Sequence, residues 1–483
     1  MRKLALCALA LLSCASPWDS LRDRSRQCAA TRRDCDNNEA NGCEVDLATD
    51  RQHCGECSTV APVACSGGRS LSLRSIAGAG GTQCASLRGD STHSIRCWGA
   101  NDRQQVSARA AATVATPLDP SPADASEVHA IGVGDGFACA IRGDVRELSC
   151  WGSAVSPPSL APTERLLSLR ALAVGARHAC VAVPRPATDE SVVRCFGDND
   201  RGQLGGAASA PSNIASVATA DGQIFSMRAI RGLAAGTSHA CAFDERSVWC
   251  WGADDRGQLG RARLPGSAAT AAAPVQFAAT NIRVIDVAAA GESACAIVSD
   301  GPSGEDAGVD GGDASSDARV GDAQCAPSAR GSLRASVLCW GALSAPAECG
   351  ANIRPVLRAA GAPLEDAARV FVGATHACAI TTAGEVLCWG RGAQASFAEA
   401  SADPQPLVAV VIPSLRGATE LSITGAGNTL PIAERAAARE SFCALMGAGS
   451  MATVKCWGPN DYAQLADASR GVELLSSPAE VRW

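Results

Sequence analysis

The residues of this chain whose types could do chemistry are its cysteines, its few histidines and a scatter of aspartates. Twenty-four cysteines stand in 483 residues. A cysteine can serve as nucleophile, metal ligand, lipid attachment point or half of a disulfide. Setting aside Cys7 and Cys14, which lie in or at the end of an apolar leader, leaves 22, with six between Cys28 and Cys65 and sixteen from Cys84 onward. Even numbers in an exported chain read as disulfides. Of the six histidines, His178, His239 and His376 recur at one position of a repeat, while His53, His93 and His129 are isolated. They read as structural hydrogen-bonding groups, not as a base. Asp34, Asp36 and Asn38 have the first three spacings of a calcium loop, yet Glu39 stands where such a loop needs Gly and Val45 where it needs a bidentate Glu. That segment reads as a polar, disulfide-tied loop. His53, Cys54 and Cys57 have a zinc-like spacing, which export converts into a disulfide reading. Asp306, Asp310, Asp313 and Asp317 match no repeated calcium turn and read as solvated loop. No metal or cofactor site is therefore expected. The zinc-protease helix, the nucleophile elbow, the dinucleotide glycine fingerprint and the sialidase box are missing, and no carboxylate pair is marked for glycoside chemistry. No catalytic residue is assigned.

The elements that position most of these residues come from an internal repeat. An apolar strand containing Gly leads to Cys-Ala or a near variant, then a short polar turn, then a strand ending in Cys-Trp-Gly. The clearest copy is GTSHACAFDERSVWCWGADDRGQLG, with Cys241 and Cys250. The other pairs are Cys84 with Cys97, Cys139 with Cys150, Cys180 with Cys195, Cys295 with Cys339, Cys378 with Cys388, and Cys443 with Cys456. Trp follows the second cysteine in each copy except the third, where Phe196 replaces it. In ATHACAITTAGEVLCWG, Ala379-Ile380 and Val386-Leu387 are strand-like pairs about a turn at Thr382-Ala383-Gly384, with Cys378 and Cys388 placed symmetrically. Facing residues at a non-hydrogen-bonded strand pair lie ~4.5 Å apart at Cα, within disulfide reach, so a staple across each hairpin is expected. The Gly after Trp suits a strand exit with positive φ or a close backbone neighbour.

The pattern G-x-x-H-x-C-A followed by C-W-G-x-N-x-x-G-Q-L-G resembles the repeats of the regulator-of-chromosome-condensation family, whose members form seven-bladed β-propellers. The likeness runs from about Leu71 to Trp483 and is strongest at GDNDRGQLG, 197–205, and GADDRGQLG, 252–260. It is degenerate at GANDRQQV and GPNDYAQL and missing after the second, fifth and sixth copies. Gln83, Phe137, Ser293 and Ser441 occupy the remaining histidine slots. The resemblance implies an all-β, seven-bladed propeller with disulfide-stapled hairpins. Its C-terminal strand, Ser477-Pro478-Ala479-Glu480-Val481, is expected to complete the first blade and close the ring. Residues around Ala115 to Ala125 are expected to be a loop-like connector.

Met1-Arg2-Lys3 and the apolar run Leu4 to Leu12 form a leader too short to span a bilayer. Leu11-Leu12-Ser13-Cys14 resembles a lipobox, which implies acylation of Cys14, and Ala15 after it favours the outer membrane or cell surface. The expected organisation is a signal at 1–13, a tether at 14–27, a Cys-rich module at 28–65 and the propeller at 66–483 with an insert at 299–336, in which Cys325 pairs with Cys349. The module is similar to small Cys-rich modules of exported bacterial proteins. Its connectivity stays open. Net charge −7 and a pI near 5.5 leave no basic footprint for nucleic acid. The only lysines are Lys3 and Lys455, which leaves no P-loop lysine. The function expected is a monomeric, non-catalytic lipoprotein scaffold, at the cell surface or in the periplasm, for an unknown protein or glycan. That expectation follows the resemblance to secreted propeller inhibitors of β-lactamase. A polysaccharide hydrolase or lyase is the alternative, and guanine-nucleotide exchange the least fitting.

Overall fold

The structure, a computed structural model, describes residues 28–481 except 29–30, 37–42, 49, 59, 62–63, 67–68, 90–92, 109, 121–125, 154–167, 186–187, 207–211, 262–269, 280, 301–334, 345–352, 391–406, 425–439, 449–451 and 467–474. The chain divides into two units, Met1–Leu71 and Ser72–Trp483. In the first, disulfides Cys28–Cys43, Cys35–Cys57 and Cys54–Cys65 hold a short strand pair, Arg32–Arg33 with Val45–Asp46, and a 3-10 turn, Arg51–His53. Asp50 caps that turn by accepting the backbone N–H of Gln52 at 2.8 Å. Its apolar centre is Cys54, Ala61 and Cys65. So small a core needs covalent staples.

The second unit is a seven-bladed β-propeller, one antiparallel sheet per repeat in chain order. The three inner strands of blade 1 are Arg69–Ala79, Thr82–Arg88 and His93–Ala100; of blade 2, Val128–Val133, Phe137–Arg142 and Glu147–Gly152; of blade 3, Ala171–Val174, His178–Pro184 and Glu190–Gly197. Blade 4 has Gly232–Ala235, His239–Phe243 and Val248–Gly252; blade 5 has Ile282–Ala290, Ser293–Asp300 and Ser336–Gly341. Blade 6 has Ala367–Val372, His376–Thr381 and Val386–Gly390; blade 7 has Ala418–Thr424, Ser441–Met446 and Thr453–Gly458. First strands of neighbouring blades lie side by side, so each sheet stands radially with its first strand innermost. Sequences such as GLAA and ALAV there are small because the strands converge on the axis. Second strands such as HACAF are buried at every position, the mark of a strand covered on both faces. Apolar slabs fill the gaps between blades: Cys180, Ala182 and Val193 of blade 3 pack with Ala240, Ala242 and Trp251 of blade 4.

Within each blade the two repeat cysteines face each other in register, as in Cys241↔Cys250 and Cys378↔Cys388. All seven pairs are bonded with Cα–Cα distances of 4.0 to 4.1 Å. The glycine after Trp or Phe has positive φ in every blade, 102° at Gly252. A Cβ on Gly252 would sit 2.5 Å from the carbonyl oxygen of Ser238. Both reasons for glycine in that slot, conformation and crowding, therefore apply.

Two expectations from the sequence are corrected. The C-terminal strand, Leu475–Glu480, pairs with Thr453–Gly458 of its own blade, Cys456 opposite Ala479, and does not complete blade 1. Blade 1 has its own fourth strand, Thr113–Leu118, which runs into the expected connector and ends inside it. The reason is that Ala273–Pro274 and its counterparts pair with the Cys-Trp-Gly strand preceding them in the chain, so each blade is contiguous from axis to rim. The ring closes by side chains. Trp98 Nε1 of blade 1 donates to the Gln464 carbonyl of blade 7 at 2.9 Å, and Ser422 Oγ donates to Gln83 Oε1 at 2.9 Å. Ile76 N donates to Glu420 Oε2 at 3.0 Å.

Candidate functional site

In a four-stranded antiparallel blade, the turn between strands one and two and the loop after strand three emerge at the same end. The GQLG loops therefore gather on one face. Each folds on its own side chains. Asn199 Oδ1 accepts the Leu204 N–H at 3.1 Å and Gln203 Oε1 accepts the Arg201 N–H at 2.8 Å. Asp254 and Gln258 do the same for Leu259 and Arg256, at 3.0 and 2.7 Å. Asn460 and Gln464 repeat it in blade 7, and Asn101 and Gln105 in blade 1. The carbonyl of that glutamine then takes the indole N–H of the next blade: Gln105 from Trp151, Gln203 from Trp251, Gln258 from Trp340 and Gln464 from Trp98, at 2.8 to 3.1 Å.

This clasp explains the uneven repeats. Blades 1, 3, 4 and 7 carry the loop, and blades 2, 4, 5 and 1, which follow them, carry a Trp that uses it. Blade 3 follows a copy without the loop and carries Phe196. Trp389 of blade 6, also after a loopless copy, has a buried Nε1 with no hydrogen-bond partner among the described residues. Trp457 of blade 7 also follows a copy without the loop, so every looped copy is followed by Trp but not every Trp follows a loop.

Between the loops of blades 3 and 4 and the first turns of blades 4 and 5 lies a cleft of about 250 Å³. Its lining is polar: Arg177, Asp198, Asp200, Arg201, Gln203, Thr237, Ser238, Asp255, Gln258 and Glu292, with Ala253 the one apolar residue. Arg177 Nε donates to Asp198 Oδ2 at 2.6 Å, and Arg201 Nη1 reaches across the blade boundary to Asp255 Oδ2 at 2.7 Å. Arg256 Nε stands 3.4 Å from Glu292 Oε2 of blade 5. These pairs are one third to one half exposed, so each contributes little to stability. They hold the charges of the cleft in place on stapled strands.

The repeat histidines sit beneath this face. His178 and His239 are fully buried. Burial lowers the pKa of His178 to about 4, partly offset by the backbone of His239 and the charge of Asp200. Burial and the neighbouring His178 lower that of His239 to about 3. Both are neutral packing groups at physiological pH. His376 Nδ1 lies 2.6 Å from Glu440 Oε2 of blade 7, and Glu440 also accepts the Thr375 hydroxyl at 2.9 Å and the Thr375 N–H at 3.0 Å, which ties blade 6 to blade 7. Two half-buried acids stand on the inner strands. Asp286 Oδ2 accepts the Val370 N–H of the next blade at 3.0 Å, and Glu420 does likewise for Ile76. Burial raises the pKa of both.

In the first unit, the carboxylates of Asp34, Asp36 and Glu44 come within 4.8 Å of one another, and Glu44 Oε1 accepts the Cys35 N–H at 2.7 Å. Glu44, not position 45, is thus the third acid near Asp34 and Asp36. Cys54 and Cys57 are bonded to different partners. Cys14, Asn38, the four insert aspartates, Cys325 and Cys349 lie outside the described residues.

Residues 247–297 and 368–394 match the Regulator of chromosome condensation (RCC1) repeat. No curated protein sequence matches the chain. Among solved structures, the fold is similar to human WBSCR16 with TM-score 0.53 at 15% identity, over 72% of this chain and 84% of that one. It is also similar to yeast RCC1 (Prp20), crystallised with Kap60 bound, with TM-score 0.52 at 12% identity, over 80% and 83%. The chain therefore carries RCC1-type repeats on a seven-bladed propeller.

Proposed function

We propose that this protein is an exported, monomeric, non-catalytic scaffold that holds a protein or glycan on the loop face of its propeller, tethered to the outer membrane or cell surface by a lipid on Cys14. The observation that carries the reading is the polar cleft between blades 3, 4 and 5, built from loops on a ring whose every blade is stapled. Loops on a rigid scaffold are where recognition concentrates. Ten disulfides among the described residues suit an oxidising compartment. No helix among them is long and apolar enough to cross a membrane. Support from the comparisons is limited to the fold and to one neighbour solved with another protein bound. The half-buried acids of the inner strands, Asp286 and Glu420, are each engaged with a backbone N–H of the next blade.

The test is capture from intact cells with the oxidised protein as bait, followed by binding with the purified partner. A partner bound by the folded ring and released on substitutions in the cleft is the expected result. Turnover of a polysaccharide by the pure protein, abolished in Asp286→Asn, would replace the scaffold reading with the enzymatic one.

A further inference from the structure

Four carboxylates line the cleft between blades 3, 4 and 5, and three have a cationic partner: Asp198 has Arg177, Asp255 has Arg201, and Glu292 has Arg256. Asp200 has none among the described residues. Its Oδ1 accepts only the amide of Gln203 at 2.8 Å, and the nearby His178 is held neutral by burial. The side-chain oxygens of Gln203 and Gln258 are already taken by backbone N–H groups, so they do not compete for a donor. One solvent-exposed negative charge without a cationic partner thus lines a half-open polar cleft of about 250 Å³. At about 30 Å³ per water, that is room for several waters or for one guanidinium headgroup with part of its stem.

We infer that this cleft seats a cationic side chain, an arginine or lysine projecting from a protein partner, with its charge against Asp200. The inference rests on the scaffold reading and narrows the partner to a protein presenting a basic residue. The flanking Arg177 and Arg201 contribute to selectivity by being already paired. A carboxylate or phosphate guest would have to break the 2.6 and 2.7 Å ion pairs and still face Asp200.

The test uses the full oxidised chain and a dye-labelled Gly-Arg-Gly-Arg-Gly peptide, followed by fluorescence anisotropy at low and physiological salt. The peptide is expected to bind, and its citrulline and glutamate counterparts are not. Asp200→Asn should weaken binding about fivefold to tenfold, the loss of one charge-assisted contact in a half-open site. Glu147→Gln, which removes one exposed charge at the opposite end of blade 2, should leave it unchanged. Equal binding by the wild type and Asp200→Asn, or an equal loss in Glu147→Gln, would show attraction to overall charge and overturn the seat. So would complete displacement by millimolar calcium, which would make the cleft a metal site. Captured cell partners separate the two readings. A partner held equally well by Asp200→Asn removes the cation seat alone, and peptide binding without any partner removes the scaffold reading alone.

Discussion

Replacing Trp251 by Phe isolates the bond that links one blade to the next. Trp251 is fully buried among Cys180, Leu204, Val217 and Ala240, and its Nε1 donates to the Gln203 carbonyl at 3.1 Å. Phe keeps an aromatic ring in the slab but leaves that carbonyl without its donor, a loss of about 1–3 kcal/mol. The smaller ring also leaves a void, which adds about 1 kcal/mol. The matched control is Trp389→Phe. Its indole is equally buried, yet its N–H has no partner among the described residues, so the same truncation breaks no bond seen there. Only the void, about 1 kcal/mol, remains there. The two variants should therefore differ by about 2 kcal/mol, read as urea midpoints at unchanged slope under non-oxidising, non-reducing conditions. Amide exchange at Leu204 and Ala253 should rise in Trp251→Phe, because the loop is released from the neighbouring blade. Equal losses in both variants would refute the clasp and leave ring volume as the whole effect.

Acid should loosen the ring through two histidines. The folded pKa values of about 4 for His178 and about 3 for His239 lie below the unfolded value of 6.5, so the unfolded chain takes up protons first as pH falls. Stability is complete above pH 6.5 and is lost below it at ~1.4 kcal/mol per pH unit for each histidine, about 4 kcal/mol for both at pH 5. Denaturation curves of a double His178→Gln, His239→Gln variant should be flat over that window, and a slope equal to that of the wild type would be evidence against it. Deleting 475–483 should speed amide exchange in Thr453–Gly458 while leaving Thr113–Leu118 protected, since the terminal strand covers blade 7; the reverse pattern would restore the exchange of strands between blades. Gly252→Ala should cost about 3 kcal/mol or more, whereas Gly257→Ala, also at positive φ but with nothing within 4 Å of the added carbon, should cost about 1 kcal/mol. Similar losses in thermal melts of the two would remove crowding from the account.

Much of the fold was legible because the repeat reports it directly. A cysteine pair about a polar turn gives the hairpin, its register and its staple together, and 4.0 to 4.1 Å at Cα leaves no room for another pairing. The closing strand was misread for a physical reason. An outer strand has few side chains in the core, so Pro478-Ala479-Glu480 carries no mark of which blade it joins, and only the short connection to Thr453–Gly458 decides it. The repeat histidines were legible as buried structural residues, but the hydrogen-bonding role expected of them holds only for His376; the ring nitrogens of His178 and His239 have no partner among the described residues. What each one touches was not, because the partner belongs to the next blade: Glu440 follows His376 by 64 positions.

The cleft was hidden for the same reason, and the clasp shows why it lies where it does. A GQLG loop does two things at once. Its Asn or Asp and its Gln fix the backbone, and its glutamine carbonyl grips the following Trp. Its remaining charged positions are then free to vary without cost to the ring. Only blades 3 and 4 are consecutive, loop-bearing and free of the closing seam, so only there do two rigid loops face each other across a boundary with Arg201 and Asp255 between them. Blades 7 and 1 are also consecutive, but there Tyr462 replaces the arginine and lies against Gly81. Tyr462→Arg should open a second polar recess at the closing seam without unfolding the ring, because the Tyr462 slot contributes its backbone N–H, and not its ring, to the loop bond with Gln464. Binding of a second arginine peptide per chain by the variant, measured as stoichiometry in the same anisotropy assay, is the expected result. A stoichiometry fixed at one would mean that the blade 3 and 4 boundary has something beyond paired loops that makes its cleft.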